Sequence, residues 1–564
     1  MTAKKIGNVI SYALILFIFC CSNKASSLPR KYEISRVNLE NPLVILLTID
    51  SFRSSNISGL GYKKKTTPFL DRFIDNGIVF RNSYTACAWT IPSLISILTG
   101  LPSTSHGVWT RGWCLSRHVL TLPDILKKDG YHVPDICYLT SDPMFGNIGL
   151  ESFMGREIYI AHGDTALLEM LEEYKKNPRA TFLFYHNRTL HLPYNSADEY
   201  LKQFLPETEP DSLTKENLKF LKEQAIIDKG TYIFGDLEKQ IIEANYNGAL
   251  HQIDFSLIKP LWEILQTEPF RNNVILIIST DHGEELFEHG WIGHASTSLS
   301  GQVYEEVIKI PLIIYAPSFF KKKAEINELV STLDIMPTIL DLAGIELPSS
   351  IMGESLLPVI CGEKRKGHIV CETTVGGYRA EEKESSVIIQ VLIYQGWKII
   401  KRVSGNNVSW CLYDLNKDKM EKNDLSETST AKLNELKSIF NSWSKEAFSK
   451  SIKPEKEEKI QAIEDGKIQI MSPADKDILY YDKQKSVVSL KWTGGSGRII
   501  VEYDIGEKHK KLNGIFPADN FMRVFGPLSL QNWKMLKSFN PFKIRVIDKE
   551  THSASYWITF KFEI

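Results

Sequence analysis

Leu43–Ile49, read LVILLTI, is a continuous apolar run. Unbroken runs of this kind suit strands buried on both faces, which occur in parallel sheets covered by helices on either side. Asp50 follows immediately. Ligands gather at the carboxyl ends of parallel strands, so this segment names both the fold class to expect and the edge where chemistry belongs.

The rest of the body agrees. Helical spacing runs through Thr67–Asn76 (Phe69, Leu70, Phe73, Ile74) to Gly77, through Ile91–Thr99 to Gly100, and through Thr121–Asp129 to Gly130. Strand-like runs stand at Thr181–Tyr185, Val274–Ser279 and Pro311–Tyr315, with a longer helical stretch near Gln240–Gln266. The expected fold is α/β, a mostly parallel sheet sandwiched by helices. Past residue 430 the pattern changes. Leu433, Leu436, Ile439, Phe440 and Trp443 mark an amphipathic helix, and 451–465 is a charged connector. Alternation then sets in at Phe542, Ile544 and Val546, and again at Tyr556, Ile558, Phe560, Phe562 and Ile564. A small β-sandwich resembling a fibronectin type III or immunoglobulin-like module is expected. The expected division is a leader over 1–26, a main domain over 40–365, a subdomain with its helix over 366–450, a linker over 451–465 and the β-module over 466–564.

Lys4 and Lys5 precede an apolar run from Val9 to Cys21, too short to span a bilayer and suited to an export signal. Cys20-Cys21-Ser22-Asn23 resembles a bacterial lipoprotein signal, with ordinary cleavage near Ala25 or Ser26 as the alternative. The expected location is the bacterial periplasm or cell surface, with a lipid anchor as one option. The remaining cysteines (Cys87, Cys114, Cys137, Cys361, Cys371, Cys411) contain no C-x-x-C pair, and the sequence does not choose among disulfide pairings. With 67 basic against 68 acidic residues the net charge is -1, which argues against nucleic acid as a partner.

Three loops carry candidate chemistry. Asp50 ends the first strand. Thr90 stands at or near the cap of a helix whose first turn holds Pro92, where the helix dipole favours an oxyanion and an approaching phosphate or sulfate. Asp281-His282-Gly283-Glu284-Glu285 follows the strand VILIIS, at the same sheet edge as Asp50. Asp50, Asp281, His282 and the Thr90 hydroxyl can together hold one divalent cation, which would activate the alcohol as a nucleophile. Calcium, magnesium, manganese and zinc all tolerate such an O/N set.

From about Asn41 to Asp424 the chain resembles the sulfatase family of the alkaline phosphatase superfamily. The similarity lies in LVILLTIDSFRSSNISGLGYKKKTTPFLDRFIDNGIVFRNSYT, WTIPSLISILTGLPSTSHGV, TFLFYHNRTLHLPY, STDHGEELFEHGWIGHASTS, VYEEVIKIPLIIYAP, STLDIMPTILDLAGIELP and LYDLNKDKMEKNDLSE. The resemblance implies that His191 contacts the substrate oxyanion and that His294 binds the non-bridging oxygens with it, His289 being a rival in the same loop.

The departures from the family pattern bear on mechanism. Sulfate-cleaving relatives usually carry C/S-x-P-x-R, whose first residue is converted to formylglycine. Here that register reads Thr90-Ile91-Pro92-Ser93-Leu94. A threonine cannot become an aldehyde, so no formylglycine is expected, and Cys87 lacks the proline and arginine. The usual Asp-Asp pair is reduced to Asp50-Ser51. This resembles the phosphonate monoester hydrolases and the phosphoglycerol or phosphoethanolamine transferases. Hydrolysis of sulfate or phosphate esters through Thr90 follows, phosphate and phosphonate esters favoured, with His191 or His294 protonating the leaving group. The substrate would be a small-molecule, lipid or glycan ester. A transferase and a non-catalytic binding protein on the same scaffold are the alternatives.

Overall fold

The computed structural model describes residues 39–110, 113–116, 118–137, 151–152, 166–210, 234–294, 302–365, 367–375 and 387–453, with shorter stretches between 455 and 563. The leader expected over 1–26 lies outside the described residues.

Six strands make the central sheet: β1 (Leu43–Ile49), β2 (Ile78–Tyr84), β3 (Thr181–Asn187), β4 (Val274–Ser279), β5 (Lys309–Tyr315) and β6 (Ala324–Ser331). Their spatial order is β6-β2-β5-β4-β1-β3. β5 alone pairs antiparallel with its neighbours, and the other contacts are parallel. β1 lies between β3 and β4, which explains its uninterrupted apolar sequence: Leu43 to Leu47 are 0% exposed. Burying one such side chain contributes about 1.5–3 kcal/mol, so a polar substitution in β1 would remove a large share of a typical domain's stability.

The helices that matter for the site are α1 (Leu70–Asn76), α2 (Thr90–Thr99), α3 (Leu122–Lys128), α4 (Asp236–Ile253), α5 (Ile335–Ala343) and α6 (Thr430–Ser449). Thr121 caps α3 in a capping box with Asp124. α2 stops at Gly100, whose φ of +63° suits glycine, and the Gly100 N–H closes on Ser96 O. Past Ile253 the α4 stretch continues through a π-helical turn at Asp254–Ile258 into Lys259–Leu265.

A second, fully antiparallel sheet follows: β7 (Ile369–Thr374), β8 (Val387–Tyr394), β9 (Trp397–Ser404) and β10 (Asn407–Asp414), in sequential order. Leu433, Leu436, Phe440 and Trp443 of α6 pack with Val370, Leu392, Ile399 and Leu412 of this sheet. The carboxyl-terminal residues form mostly antiparallel β-structure. One sheet includes Arg498–Ile505, Lys508–Ile515, Phe542–Asp548 and Ile558–Glu563, and a smaller one joins Gln469–Ser472, Val488–Thr493 and Phe521–Phe525. Phe542, Ile544, Val546, Phe560 and Phe562 are buried, as their alternation requires, whereas Tyr556 precedes its strand and is 61% exposed. The described cysteines Cys87, Cys137, Cys361, Cys371 and Cys411 form no disulfide. Among the described residues no helix is long and apolar enough to cross a membrane.

Candidate active site

β1, β3 and β4 run side by side in parallel, with Thr48 opposite His186 on one flank and Ser279 on the other. Their carboxyl ends therefore release Asp50, His186 and Asp281 at one edge. All three side chains are nearly or wholly buried.

Asp50 is fixed from its backbone outward. Its N–H donates to Asn187 O at 2.7 Å. Ser51 takes a left-handed φ of +59°, uncommon for a residue with a side chain and typical of functional turns. Its hydroxyl donates to Asp50 Oδ1 at 3.1 Å, and Arg188 Nε lies 3.2 Å from Oδ2. Tyr246 of α4 holds this turn, donating to Ser51 O at 2.7 Å and accepting from the Arg53 N–H at 2.9 Å. Burial opposes ionisation of Asp50, but His191, His186, His282 and Arg188 outweigh it and hold the carboxyl well below the usual range.

Asp281 is bound to α2. Its carbonyl oxygen accepts from Ser93 Oγ of α2 at 2.6 Å and from the Thr85 hydroxyl. Its Oδ1 accepts from Thr280 Oγ1 at 3.0 Å and from the His282 N–H at 2.9 Å, while the buried Oδ2 has no hydrogen-bond partner. His282 donates from Nδ1 to Gly283 O at 2.8 Å, which leaves Nε2 as the lone-pair atom of the neutral ring. That Nε2 lies 3.2 Å from Asp281 Oδ2, 3.7 Å from Asp50 Oδ1 and 3.3 Å from Thr90 Oγ1. Burial lowers the basicity of His282, and Asp281 and Asp50 more than restore it. The loop turns tightly because residue 283 is glycine: a Cβ there would meet Glu306 O at 2.1 Å. The Gly283 and Glu284 N–H groups instead donate to Val307 O and Glu306 O.

Thr90 is the first residue of α2, with extended Trp89 at the cap position. Cys87 sits wholly inside the core, where burial pushes its thiol pKa up, and Leu94 is buried as well. Of the two candidate nucleophiles, only the Thr90 hydroxyl faces His282.

His191 and His294 close the cluster. Their rings meet edge to face at 5.2 Å, and His294 lies 4.1 Å from the His282 ring. His191 donates from Nδ1 to Leu192 O at 2.9 Å, so its Nε2 is the atom free to exchange a proton. Burial lowers its pKa, with Asp50 opposing. Burial and then His282 depress His294 to about 3. His294 Nδ1 lies 2.9 Å from Glu284 Oε1, and burial raises Glu284 to about 8. All six residues named from the sequence thus share one site.

Three others were not anticipated. His186 is the penultimate residue of β3, directly after the apolar run TFLFY; reading the strand to its end places it beside Asp50. Arg188 follows on the same turn. Glu284 lies inside the quoted loop, but its partner His294 becomes visible only in the folded chain.

His289 is elsewhere. Its Nδ1 meets Glu285 Oε1 at 2.8 Å, its Nε2 meets Met420 O at 2.8 Å, and its ring stacks on Tyr304 at 3.7 Å. A carboxylate and a carbonyl both accept, so both ring nitrogens donate and the ring is an imidazolium. Burial opposes that charge, but Glu285, Met420 O and Glu306 raise its pKa to about 9.

Asp50, His186 and Asp281 offer ligand atoms within 4.8 Å of one another. The unbonded Asp281 Oδ2, the unbonded His186 Nε2 and the lone pair of His282 Nε2 fit a divalent cation among them.

A model of the sulfatase family matches residues 42–345, and one for the carboxyl-terminal part of N-sulphoglucosamine sulphohydrolase matches 288–445. A Δ4,5-hexuronate-2-O-sulfatase of Bacteroides thetaiotaomicron is 24% identical over 69% of this chain and 85% of its own. A multifunctional alkaline phosphatase superfamily protein of Trinickia caryophylli is 24% identical over 57% and 77%. Among solved structures, the phosphonate monoester hydrolase of Agrobacterium radiobacter superposes with a TM-score of 0.59 at 19% identity, covering 72% of this chain and 96% of its own. A protein solved with its substrate D-glucosamine-2-N,6-O-disulfate superposes at 0.58 with 21% identity, over 72% and 98%.

Proposed function

The chain belongs to the sulfatase family of hydrolases, and on that footing we propose that it cleaves anionic esters at a divalent-metal site with Thr90 as nucleophile, phosphate and phosphonate esters favoured over sulfate esters. The observation that carries this reading is the Thr90 hydroxyl 3.3 Å from His282 Nε2, beside two buried carboxylates, while Cys87 is enclosed in the core.

Asp50, Asp281, His282 and Thr90 Oγ would hold the ion. When bound it supplies a Lewis acid that favours the Thr90 alkoxide and offsets charge on the ester oxygens. Thr90 Oγ gives up its proton, through solvent, to the neutral imidazole of His191 or His294, forms a bond to phosphorus and displaces the ester oxygen. The departing oxygen takes that same proton from His191 Nε2 or from His294. His191, His294 and Arg188 bind the non-bridging oxygens. Water then attacks the same phosphorus, freeing phosphate or phosphonate and returning the proton to Thr90. The ester preference follows from this second half. A formylglycine hydrate can expel sulfate by collapsing to an aldehyde, a route closed to a sulfated threonine, whereas phosphothreonine is open to attack at phosphorus. The sulfatase relatives favour a small-molecule or glycan ester as substrate.

The test is turnover of aryl sulfate, phosphate monoester, phosphate diester and phosphonate monoester by the metal-loaded protein and by Thr90→Ala. We expect phosphoryl cleavage to fall at least about 1,000-fold in the variant, as for loss of other nucleophiles, with a phosphorylated Thr90 peptide recoverable from the wild type. Sulfate cleavage that survives Thr90→Ala would overturn the assignment.

A further inference from the structure

We propose that His186 is a ligand of the same divalent-ion site, which then presents two imidazoles and two carboxylates and selects a transition metal of the zinc class over calcium. The inference rests on the metal-site reading above and adds a residue and a metal class to it.

His186 is 7% exposed, and its ring is oriented from behind by Thr48 Oγ1, 2.9 Å from Nδ1. A metal-binding histidine usually donates its far N–H to a carboxylate, a carbonyl or water, and here a hydroxyl stands in that place. In the tautomer in which Nδ1 donates to the Thr48 hydroxyl, Nε2 carries the lone pair. Nε2 is buried without a hydrogen-bond partner, and its nearest carboxylate oxygens are Asp50 Oδ2 at 3.7 Å and Asp281 Oδ2 at 4.0 Å. These separations are too long for hydrogen bonds. They are close to the spacing of donors around one ion, since atoms each about 2.1 Å from a metal lie roughly 3–4 Å apart.

The donor set decides the metal. Calcium takes six to eight oxygens. Ser51 follows Asp50 without supplying a second carboxylate, its hydroxyl turned onto Asp50 Oδ1 at 3.1 Å. The donors are then Asp50, Asp281, His186 Nε2 and His282 Nε2, with Thr90 Oγ1, 3.3 Å from His282 Nε2, as a fifth. Two imidazoles and two carboxylates suit a first-row transition metal such as zinc or cobalt, because imidazole favours these ions while calcium prefers oxygen alone.

The test is direct titration of the chelator-stripped full chain with Zn²⁺, Co²⁺ and Ca²⁺ by calorimetry, with Co²⁺ absorption reporting nitrogen ligation. We expect one Zn²⁺ or Co²⁺ bound at least about 100-fold tighter than Ca²⁺. His186→Ala should lose 10–100-fold or more in Zn²⁺ affinity and shift the Co²⁺ spectrum, with Ca²⁺ affinity unmoved. His186→Gln, closer in volume, gives the same readout should the alanine variant fail to fold. Unchanged Zn²⁺ affinity and Co²⁺ spectrum in a folded His186 variant would overturn the proposal, as would a preference of the wild type for Ca²⁺. Asp281→Asn separates the two levels. If the wild type binds metal, Asp281→Asn does not and the His186 variants bind normally, only His186 is wrong. If the wild type binds no metal at all, the metal-site reading fails and takes the His186 assignment with it.

Discussion

Two buried clusters of carboxylates and imidazoles sit four residues apart on one loop, and they are built to opposite ends. Around Asp281, the atoms Asp281 Oδ2 and His186 Nε2 are buried and lack hydrogen bonds. Around Glu285, cations already occupy the space. The His289 imidazolium bridges Glu285 and Met420 O, and Lys398, 0% exposed, reaches Glu421 at 2.6 Å, Val303 O at 2.7 Å and Glu305 at 3.7 Å. Residue types alone would call both clusters metal sites. A cation already placed among the carboxylates separates them, although Glu305 Oε1, Glu306 Oε2 and Glu421 Oε1 also lack hydrogen bonds, because a buried charge is tolerated only when paired. On the proposed reading the first cluster receives an ion, whereas the second carries its cations within the chain.

The comparison breaks most readily at Lys398. Removing one partner of a buried ion pair costs about 3–5 kcal/mol, so Lys398→Met should lower urea-unfolding stability by that order while leaving metal stoichiometry alone. A stability change below about 0.5 kcal/mol, the range of an ordinary surface substitution, would refute the view that the second cluster is structural. Metal removal is the next lever. With the ion at about 100 times its Kd, binding stabilises the fold by about 2.7 kcal/mol. Chelation should therefore lower the Tm of the wild type and leave Asp281→Asn unaffected; equal melting of the wild type with and without chelator would count against the first cluster as a receptor.

The smallest effect is one of pH. His289 titrates near 9 in the fold and near 6.5 when unfolded. Its raised value contributes stability that is full below pH 6.5 and is lost as pH rises through 9. His289→Gln should flatten stability measured from pH 6.5 to 9.5, and an unaltered slope would show that the imidazolium contributes nothing.

Much of this was legible in the sequence for physical reasons, and the omissions have reasons too. β1 and β4 are apolar on both faces and announce themselves, and Thr121 and Gly130 delimit α3 as their chemistry requires. β2 and β6 were missed. Arg81 and Asn82 interrupt the first, and the second alternates buried and exposed residues at the sheet's edge. Nothing in the apolar run of β5 reveals that it points the other way. Asp50 and the Asp281-His282 pair are legible because Asp50 directly follows one apolar strand and Asp281 follows another with only Thr280 between. His186 was lost because its strand continues into polar residues, where a hydrophobic pattern stops being informative. Glu284 with His294 and His289 with Met420 are contacts between separate turns, beyond the reach of any local pattern.

The bond from His289 to Met420 O also bears on how this chain can be divided. Met420 and Lys398 lie after the candidate site residues, yet Met420 O accepts from His289 and Lys398 holds Val303 and Glu305, next to the Glu306 and Val307 carbonyls that receive the Gly283 and Glu284 N–H groups. The second sheet is therefore part of the mould in which that loop sets, and the two halves form a single heritable unit. Recombination that exchanged everything beyond residue 365 would keep every chemical group and lose their arrangement.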